Sequence, residues 1–367
     1  MEELRRKPFE PPMLPLKDGV IDQLKFIREL IDANKSIVEY ETMLKNSKLH
    51  PKFLLRPVML KEAVQSTKLE GTQVTLDDVM EVEAETKKVN KDIQEALNYY
   101  EALIKGMDFL QRIPLSNRLF KYLHEILLSN HVRGANRAPG EFRKIQNFIG
   151  PEGCTIETAT YVPPEPHLVY DYMSNLEKYI NEPKDDFDEL IRVAIIHAQF
   201  ETIHPFLDGN GRIGRILIPL YLYSKKVIEF PNFFISDVLE RDKHKYYRFL
   251  NEIRYEGNWN QWIRFFLQCI KVQAKKNVQL IQDINELYER DLDVASKLIN
   301  SSHVRRMMNV MFQRPIFTVK TIVELTGMSE STVRRYVNKL EQHQLIFSNG
   351  RMRSKTYYYY NLLDYLR

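Results

Sequence analysis

His204-Pro205-Phe206-Leu207-Asp208-Gly209-Asn210-Gly211-Arg212-Ile213-Gly214-Arg215 is the stretch on which the fold and chemistry of this chain turn. It lies between one apolar helical pattern, DELIRVAIIHAQFETI, and the start of another, RILIPLYLYSKK, so it reads as a loop feeding a helix N-terminus. There the unpaired backbone N–H groups and the positive end of the macrodipole favour an anion, and Gly209 and Gly211 permit close backbone approach to it. Arg212 and Arg215, at i, i+3 spacing, aim at one ligand; cations in a first helical turn oppose the macrodipole by ~0.3–1 kcal/mol each unless an anion is bound. Asp208 at the loop start suits Mg²⁺, and His204 has the side chain whose pKa suits a general base near neutrality. Taken singly these residues have plainer uses: a helix N-cap, two turn dipeptides, a structural histidine. Taken together they point to phosphate, because a turn alone requires neither two arginines on one helix face nor a histidine at its entry.

HPFLDGNGRIGR also matches the signature HxFx(D/E)GNGRxxR of the Fic family at every defined position, and the chain resembles that family well beyond it. The resemblance implies an adenylyltransferase that moves AMP from ATP, with Mg²⁺, onto a Ser, Thr or Tyr hydroxyl of a protein. By it His204 deprotonates the hydroxyl, Asp208 holds the metal, and the backbone of Gly209, Asn210 and Gly211 cradles phosphate. Arg212, Ile213 and Gly214 complete the cofactor-binding segment, Arg215 meets the γ-phosphate, and Phe206 is a core anchor. GEFR, QNFIG and TYVPP resemble the family's flap hairpin, which presents target backbone by strand addition. Ile149 and Gly150 of the flap, with Tyr246 and Arg254, are carried over as lining of the nucleotide pocket. Two alternatives stay open: transfer of another nucleotide-derived phosphate moiety, and a DNA-binding regulator whose core only senses nucleotide.

Upstream, Ser66-Thr67-Lys68-Leu69-Glu70-Gly71 matches the family's inhibitory pattern (S/T)xxxE(G/N). Ser66 and Glu70 share a helix face, and an acid near a helix C-terminus opposes the dipole, so Glu70 gains by meeting a cation. His197, on an apolar helix, is expected to be a satisfied core histidine. The chain lacks HExxH, paired-carboxylate metal clusters and GxSxG, which removes the protease, zinc-hydrolase and α/β-hydrolase classes.

The expected fold is mainly α. Residues 1–89 form an N-terminal helical region with the inhibitory helix, and 90–265 a Fic helical bundle with a β-hairpin flap near 143–162. Residues 266–300 form a linking helix, and 301–367 a winged helix-turn-helix domain. A first helix is placed near Ile21 with Leu24, Ile27, Leu30 and Ile31 on its apolar face; others span 57–70 and 76–88, the latter started by Thr75 and Asp78. In the tail, Gly327 turns one helix into the next and Asn349-Gly350 marks a hairpin turn.

Residues 301–367 carry 11 Lys and Arg against 4 Asp and Glu, net +7, whereas residues 1–300 carry −3. That polarity fits DNA as a partner of the tail, with Arg334, Arg335 and Lys339 in a groove and Arg351, Arg353 and Lys355 on phosphates, though a solvated basic face has the same charge. The remaining expectations are a protein substrate, the chain itself included, a homodimer as an admissible assembly, no membrane, and a cytoplasmic location. The last two rest on the absence of any run near ~20 apolar residues and on only two cysteines, Cys154 and Cys269, outside any CxxC spacing.

Overall fold

The computed structural model describes residues 7–151, 153–351 and 355–367. In chain order the helices are α1 Ile27–Lys45, α2 Lys52–Leu69, α3 Leu76–Glu83, α4 Lys91–Leu110, α5 Asn117–Leu127, α6 Val169–Asn181, α7 Glu189–Ile203 and α8 Asn210–Ser224. They continue with α9 Ser236–Arg241, α10 Lys243–Glu256, α11 Trp259–Ile299, α12 Val304–Gln313, α13 Val319–Thr326, α14 Glu330–Gln342 and α15 Tyr360–Leu366. Among the described residues three short strands, β1 Ile316–Thr318, β2 Phe347–Ser348 and β3 Thr356–Tyr358, lie in the tail. Two compact units result: residues 1–38, 65–71 and 98–274 form one, and 39–64, 72–97 and 275–367 the other. Among the described residues no helix is long and apolar enough to cross a membrane.

The first unit is built round α7. From Leu190 to Ile203 every residue except Arg192 is buried, as expected of a helix that is apolar on all sides. Asp188 starts it by accepting from the Leu190 amide (2.8 Å), and α6, α8 and α10 pack on it. The indole of Trp262 on α11 donates to the Ala194 carbonyl (2.9 Å). His197 is a satisfied core histidine, as expected, bonded through Nδ1 to the Gly214 carbonyl and through Nε2 to the Tyr246 hydroxyl, each 3.0 Å.

The α1 expectation needs correcting in register. The helix starts at Ile27, because Asp22 caps a separate short 3₁₀ turn, Gln23–Lys25, and Phe26 (φ −141°) interrupts the helical path. The buried seam is Phe26, Leu30, Ala33 and Ile37, while Leu24 is 83% exposed and Ile27 and Ile31 also face outward. Both sets have helical spacing, and only packing distinguishes them.

In the second unit β1, β3 and β2 form an antiparallel sheet in that order, Phe317 opposite Tyr357 and Phe347 opposite Tyr358. Helices α12, α13 and α14 pack in sequence, with Gly327 (φ +68°) closing α13. The connection between β2 and β3 spans 349–355, longer than a two-residue turn at Asn349-Gly350. Helix α3 stops at Glu83 rather than 88, but its start is the expected one: Thr75 Oγ1 accepts from the Asp78 amide (3.2 Å) while Asp78 accepts from the Thr75 amide (2.9 Å). Replacing Thr75 by Ala should cost about 1 kcal/mol, read as a lower thermal midpoint; an unchanged midpoint would mean the box adds nothing to that helix.

Candidate active site

The loop between α7 and α8 is tied by its own residues. Asn210 Oδ1 accepts from the Phe206 amide and Nδ2 donates to the Phe206 carbonyl, each 2.8 Å, so this buried side chain closes the turn. Gly209 precedes α8 in the left-handed region (φ +76°), leaving the first amides of α8 without a side-chain cap. The sequence aims Arg212 and Arg215 at one ligand; the structure sends them to different carboxylates. Arg212 is buried and its Nη2 pairs with Asp208 Oδ1 (3.0 Å).

Arg215, 3% exposed, turns to the end of α2. Nε donates to Ser66 Oγ (2.7 Å), and Nη2 donates to the Ser66 carbonyl (3.0 Å) and Glu70 Oε1 (2.6 Å). Glu70 Oε1 lies so close to Gly211 that a Cβ there would meet it at 2.5 Å. A carboxylate therefore occupies the anion position at the head of α8. Burial pushes the Glu70 carboxyl up, but Arg215, Arg212 and Lys243 outweigh it and hold the group below its ordinary value; Glu70 in turn holds Arg215 well above its own. The end of α2 is further held by Lys243 Nζ on the Leu69 carbonyl (2.6 Å) and Arg133 Nη2 on the Glu70 carbonyl (3.0 Å), cations satisfying C-terminal carbonyls. Gly71 follows at φ +96°.

His204 ends α7 in the left-handed region (φ 50°, ψ 60°), a costly place for a non-glycine residue. Arg143 supports it: its backbone amide donates to Pro205 O (2.9 Å), and its side chain donates to the carbonyls of His204 (3.0 Å), Pro164 (2.5 Å) and Ile203 (3.4 Å). Arg254 lies on the other side, donating to Glu201 O (3.1 Å) with its guanidinium 3.7 Å above the Tyr161 ring. Burial, then Arg254 and Arg143, push the His204 imidazole down to about 3, although the Glu201 carbonyl and Glu70 charge favour protonation. Its Nδ1 is buried without a full hydrogen bond. The imidazole is therefore neutral and weakly basic as it stands.

With this geometry in place, residues 114–222 match the model of the Fic/DOC family and residues 27–108 that of the Fic/DOC family N-terminal region. The chain belongs to the Fic/DOC family. A probable protein adenylyltransferase of Aquifex aeolicus is 22% identical over 315 residues, covering 80% of this chain and 92% of that one. Protein adenylyltransferase Fic of Culex quinquefasciatus is 26% identical over 258 residues, 68% of this chain and 46% of its own, so the chain spans about half the length of that relative. A Fic family protein of Desulfovibrio desulfuricans G20 has the same fold with a TM-score of 0.59 at 20% identity, over 95% of this chain and 98% of that one. Residues 134–508 of Fic-1 from C. elegans give 0.52 at 17%, over 71% and 74%.

Among the described residues the flap expected of a Fic chain shows one bridge, Ile149 opposite Tyr161, with the Ile149 amide donating to Tyr161 O (2.8 Å). Pro151 and the Pro163-Pro164 pair lack the amide donors that a longer ladder needs. Ile149 is half-buried and Gly150 exposed. Tyr246 is 1% exposed and bonded to His197, and Ile213 and Gly214 face the core between α7 and α8.

Three residues of this Fic site were assigned no role from sequence. Arg143 stands in GEFR, quoted above only for its likeness to the flap. His124, inside an ordinary amphipathic helix, carries no sequence signal. Glu201 had one, a carboxyl on a strongly apolar helix. It is 6% exposed, its Oε1 has no hydrogen-bond partner, and a Cβ on Gly214 would overlap that oxygen. Burial raises this carboxyl to about 7, with Glu70 adding and Arg215 and Arg254 opposing.

A carboxyl raised from 4.5 to about 7 means that the folded chain holds a proton the unfolded chain has released, so stability falls as pH rises across that window. Glu201→Gln should therefore match the wild type near pH 4.5 and exceed it at pH 8, by on the order of 3 kcal/mol, seen in thermal midpoints at the two pH values. Parallel pH profiles for the two proteins would refute the assignment.

Proposed function

We propose that the chain is a protein adenylyltransferase that moves AMP from Mg·ATP to a Ser, Thr or Tyr hydroxyl of a protein, the chain itself included, and that Glu70 holds it inactive. The observation that carries this is the Glu70 carboxylate on Arg215 at the head of α8, an anion standing where a terminal phosphate would stand. The names of the relatives, at 22% and 26% identity, support the transferase reading. The target hydroxyl oxygen attacks the α-phosphorus, the bond to the β-phosphate oxygen breaks, pyrophosphate leaves, and His204 takes the hydroxyl proton. Depressed basicity suits the waiting state: His204 stays neutral until polyphosphate brings negative charge beside it and strengthens it as a base.

Asp208 is a single carboxylate at the loop start, and among the described residues no group of three or more His, Cys, Asp or Glu could hold a metal. That donor set fits Mg²⁺, which commonly takes one or two carboxylates and completes its shell with substrate phosphates and water. When bound, the ion neutralises phosphate charge during transfer. Asp208 would hold it with one carboxylate oxygen while Arg212 keeps the group in place.

A second reading concerns the tail, whose helix pair α13–α14 and hairpin β2–β3 have the order of a winged helix on DNA. Arg335 and Arg351 are exposed there. Arg334 pairs with Glu330 (2.5 Å), Lys355 with Glu341 (2.7 Å), and Lys339 donates to Leu298 O (2.9 Å), so these three would have to exchange partners to reach phosphates. Arg353 lies outside the described residues. If this reading holds, the full chain binds duplex DNA with an affinity that falls steeply with salt; weak or salt-insensitive binding points to a protein partner instead.

The main test is automodification with ATP labelled at the α-phosphate. Glu70→Gly should raise incorporation more than tenfold, each factor of ten needing only ~1.4 kcal/mol. Adding Arg215→Ala should cancel the gain, and adding His204→Ala should abolish transfer while sparing ATP binding, since a general base contributes ~10²–10⁴-fold to rate. Equal activity of wild type and Glu70→Gly would leave the end of α2 a structural element. Label retained only from the γ-phosphate would indicate transfer of another moiety.

A further inference from the structure

His124 on α5 is wholly buried, and the transfer chemistry above does not use it. The Gly140 amide donates to its Nδ1 (2.9 Å), which makes Nδ1 the acceptor and leaves the ring proton on Nε2. Nε2 then donates to the backbone carbonyl of Asp208 (2.9 Å). The ring lies flat on Phe206, centroids 3.8 Å apart and planes at 9°. One side chain thus touches the residues on either side of Leu207 and the segment leading into the flap.

Rotation of Asp208 about its backbone is what would swing its carboxylate out of line. The carboxylate is fixed at one oxygen by Arg212, and its other oxygen fits against Gly134, where a Cβ would meet it at 2.6 Å. Neither contact fixes the peptide that carries the side chain; the bond from His124 does.

We propose that His124 is a positioning residue that aims the Asp208 carboxylate at the metal of the nucleotide, by clamping the Asp208 carbonyl to the Gly140 amide through one imidazole ring. The proposal rests on the reading of Asp208 as metal ligand. Its ligand class is a divalent cation carried by a nucleoside triphosphate, and its expected signature is weaker metal–nucleotide binding with little change in rate once the metal saturates. Groups that orient a metal ligand from behind typically contribute 10–100-fold to metal affinity.

The test uses the full chain in the Glu70→Gly background, with Mn²⁺ and ATP as probes and free Mn²⁺ followed by electron paramagnetic resonance. His124→Leu fills the space but neither accepts nor donates, and it should weaken Mn·ATP binding about 10–100-fold. His124→Gln can keep a donor where Nε2 stood, and it should stay within about threefold of the parent. In transfer assays the Leu variant should show a raised metal activation constant with kcat nearly restored at saturating metal. Thermal midpoints establish that each variant folds; if Leu does not, His124→Asn, which keeps only the acceptor for Gly140, replaces it with the same expectation. If neither folds, the Gln variant decides: retained binding supports the clamp and lost binding overturns it. Parent-like binding by a folded Leu or Asn variant, or a loss in Gln as large as in Leu, overturns it as well. Asp208→Asn separates the two levels: parent-like Mn·ATP binding there removes Asp208 as metal ligand, whereas lost binding there beside an unaffected His124→Leu removes only the clamp.

Discussion

A guanidinium buried inside a helix bundle must find an anion. Arg215, in the second turn of α8, is in that position: water is excluded, and leaving such a charge uncompensated typically costs several kcal/mol. The rest of the site follows from how that demand is met. Ser66 and the end of α2 supply neutral acceptors, and Glu70 supplies the charge. Gly211 leaves room for the carboxylate to reach the helix head. On the proposed reading, a polyphosphate would satisfy the same cation with more charge and more acceptors.

Beside it stands a second pair of buried cations. Arg143 and Arg254 hold the strained carbonyl end of α7 in place, and their charge adds to burial in holding the His204 imidazole down. Structural support and electrostatic tuning come from the same two side chains. Glu201 on the preceding turn shows the opposite effect, a carboxyl that burial keeps protonated up to about neutral pH despite two arginines nearby.

The helical character of the chain, the loop-to-helix junction at 204–215 and the capping box at Thr75 could be read from sequence because each depends on neighbours within a few residues. That Glu70 meets a cation was legible from its place near a helix C-terminus; the structure supplies Arg215 as that cation. What escaped depends on packing. The seam of α1 went to Phe26, Leu30, Ala33 and Ile37, although Leu24, Ile27 and Ile31 are equally periodic. The arginines at i, i+3 diverge because Asp208 lies one turn before Arg212 and Glu70 comes from far away in sequence. His124 could not be recognised, since its importance lies in two backbone groups 16 and 84 residues distant.

The end of α2 is anchored twice, by different atoms. Backbone carbonyls of Ser66, Leu69 and Glu70 take bonds from Arg215, Lys243 and Arg133, whereas the charge that occupies Arg215 comes from the Glu70 side chain alone. Placement and restraint are therefore heritable separately. Natural variation at one codon can set how firmly the arginine is engaged, from fully engaged to free, while the main chain stays docked and the protein loses little of its architecture. On the proposed reading, such a contact would act as a dial that selection can turn without rebuilding the structure behind it.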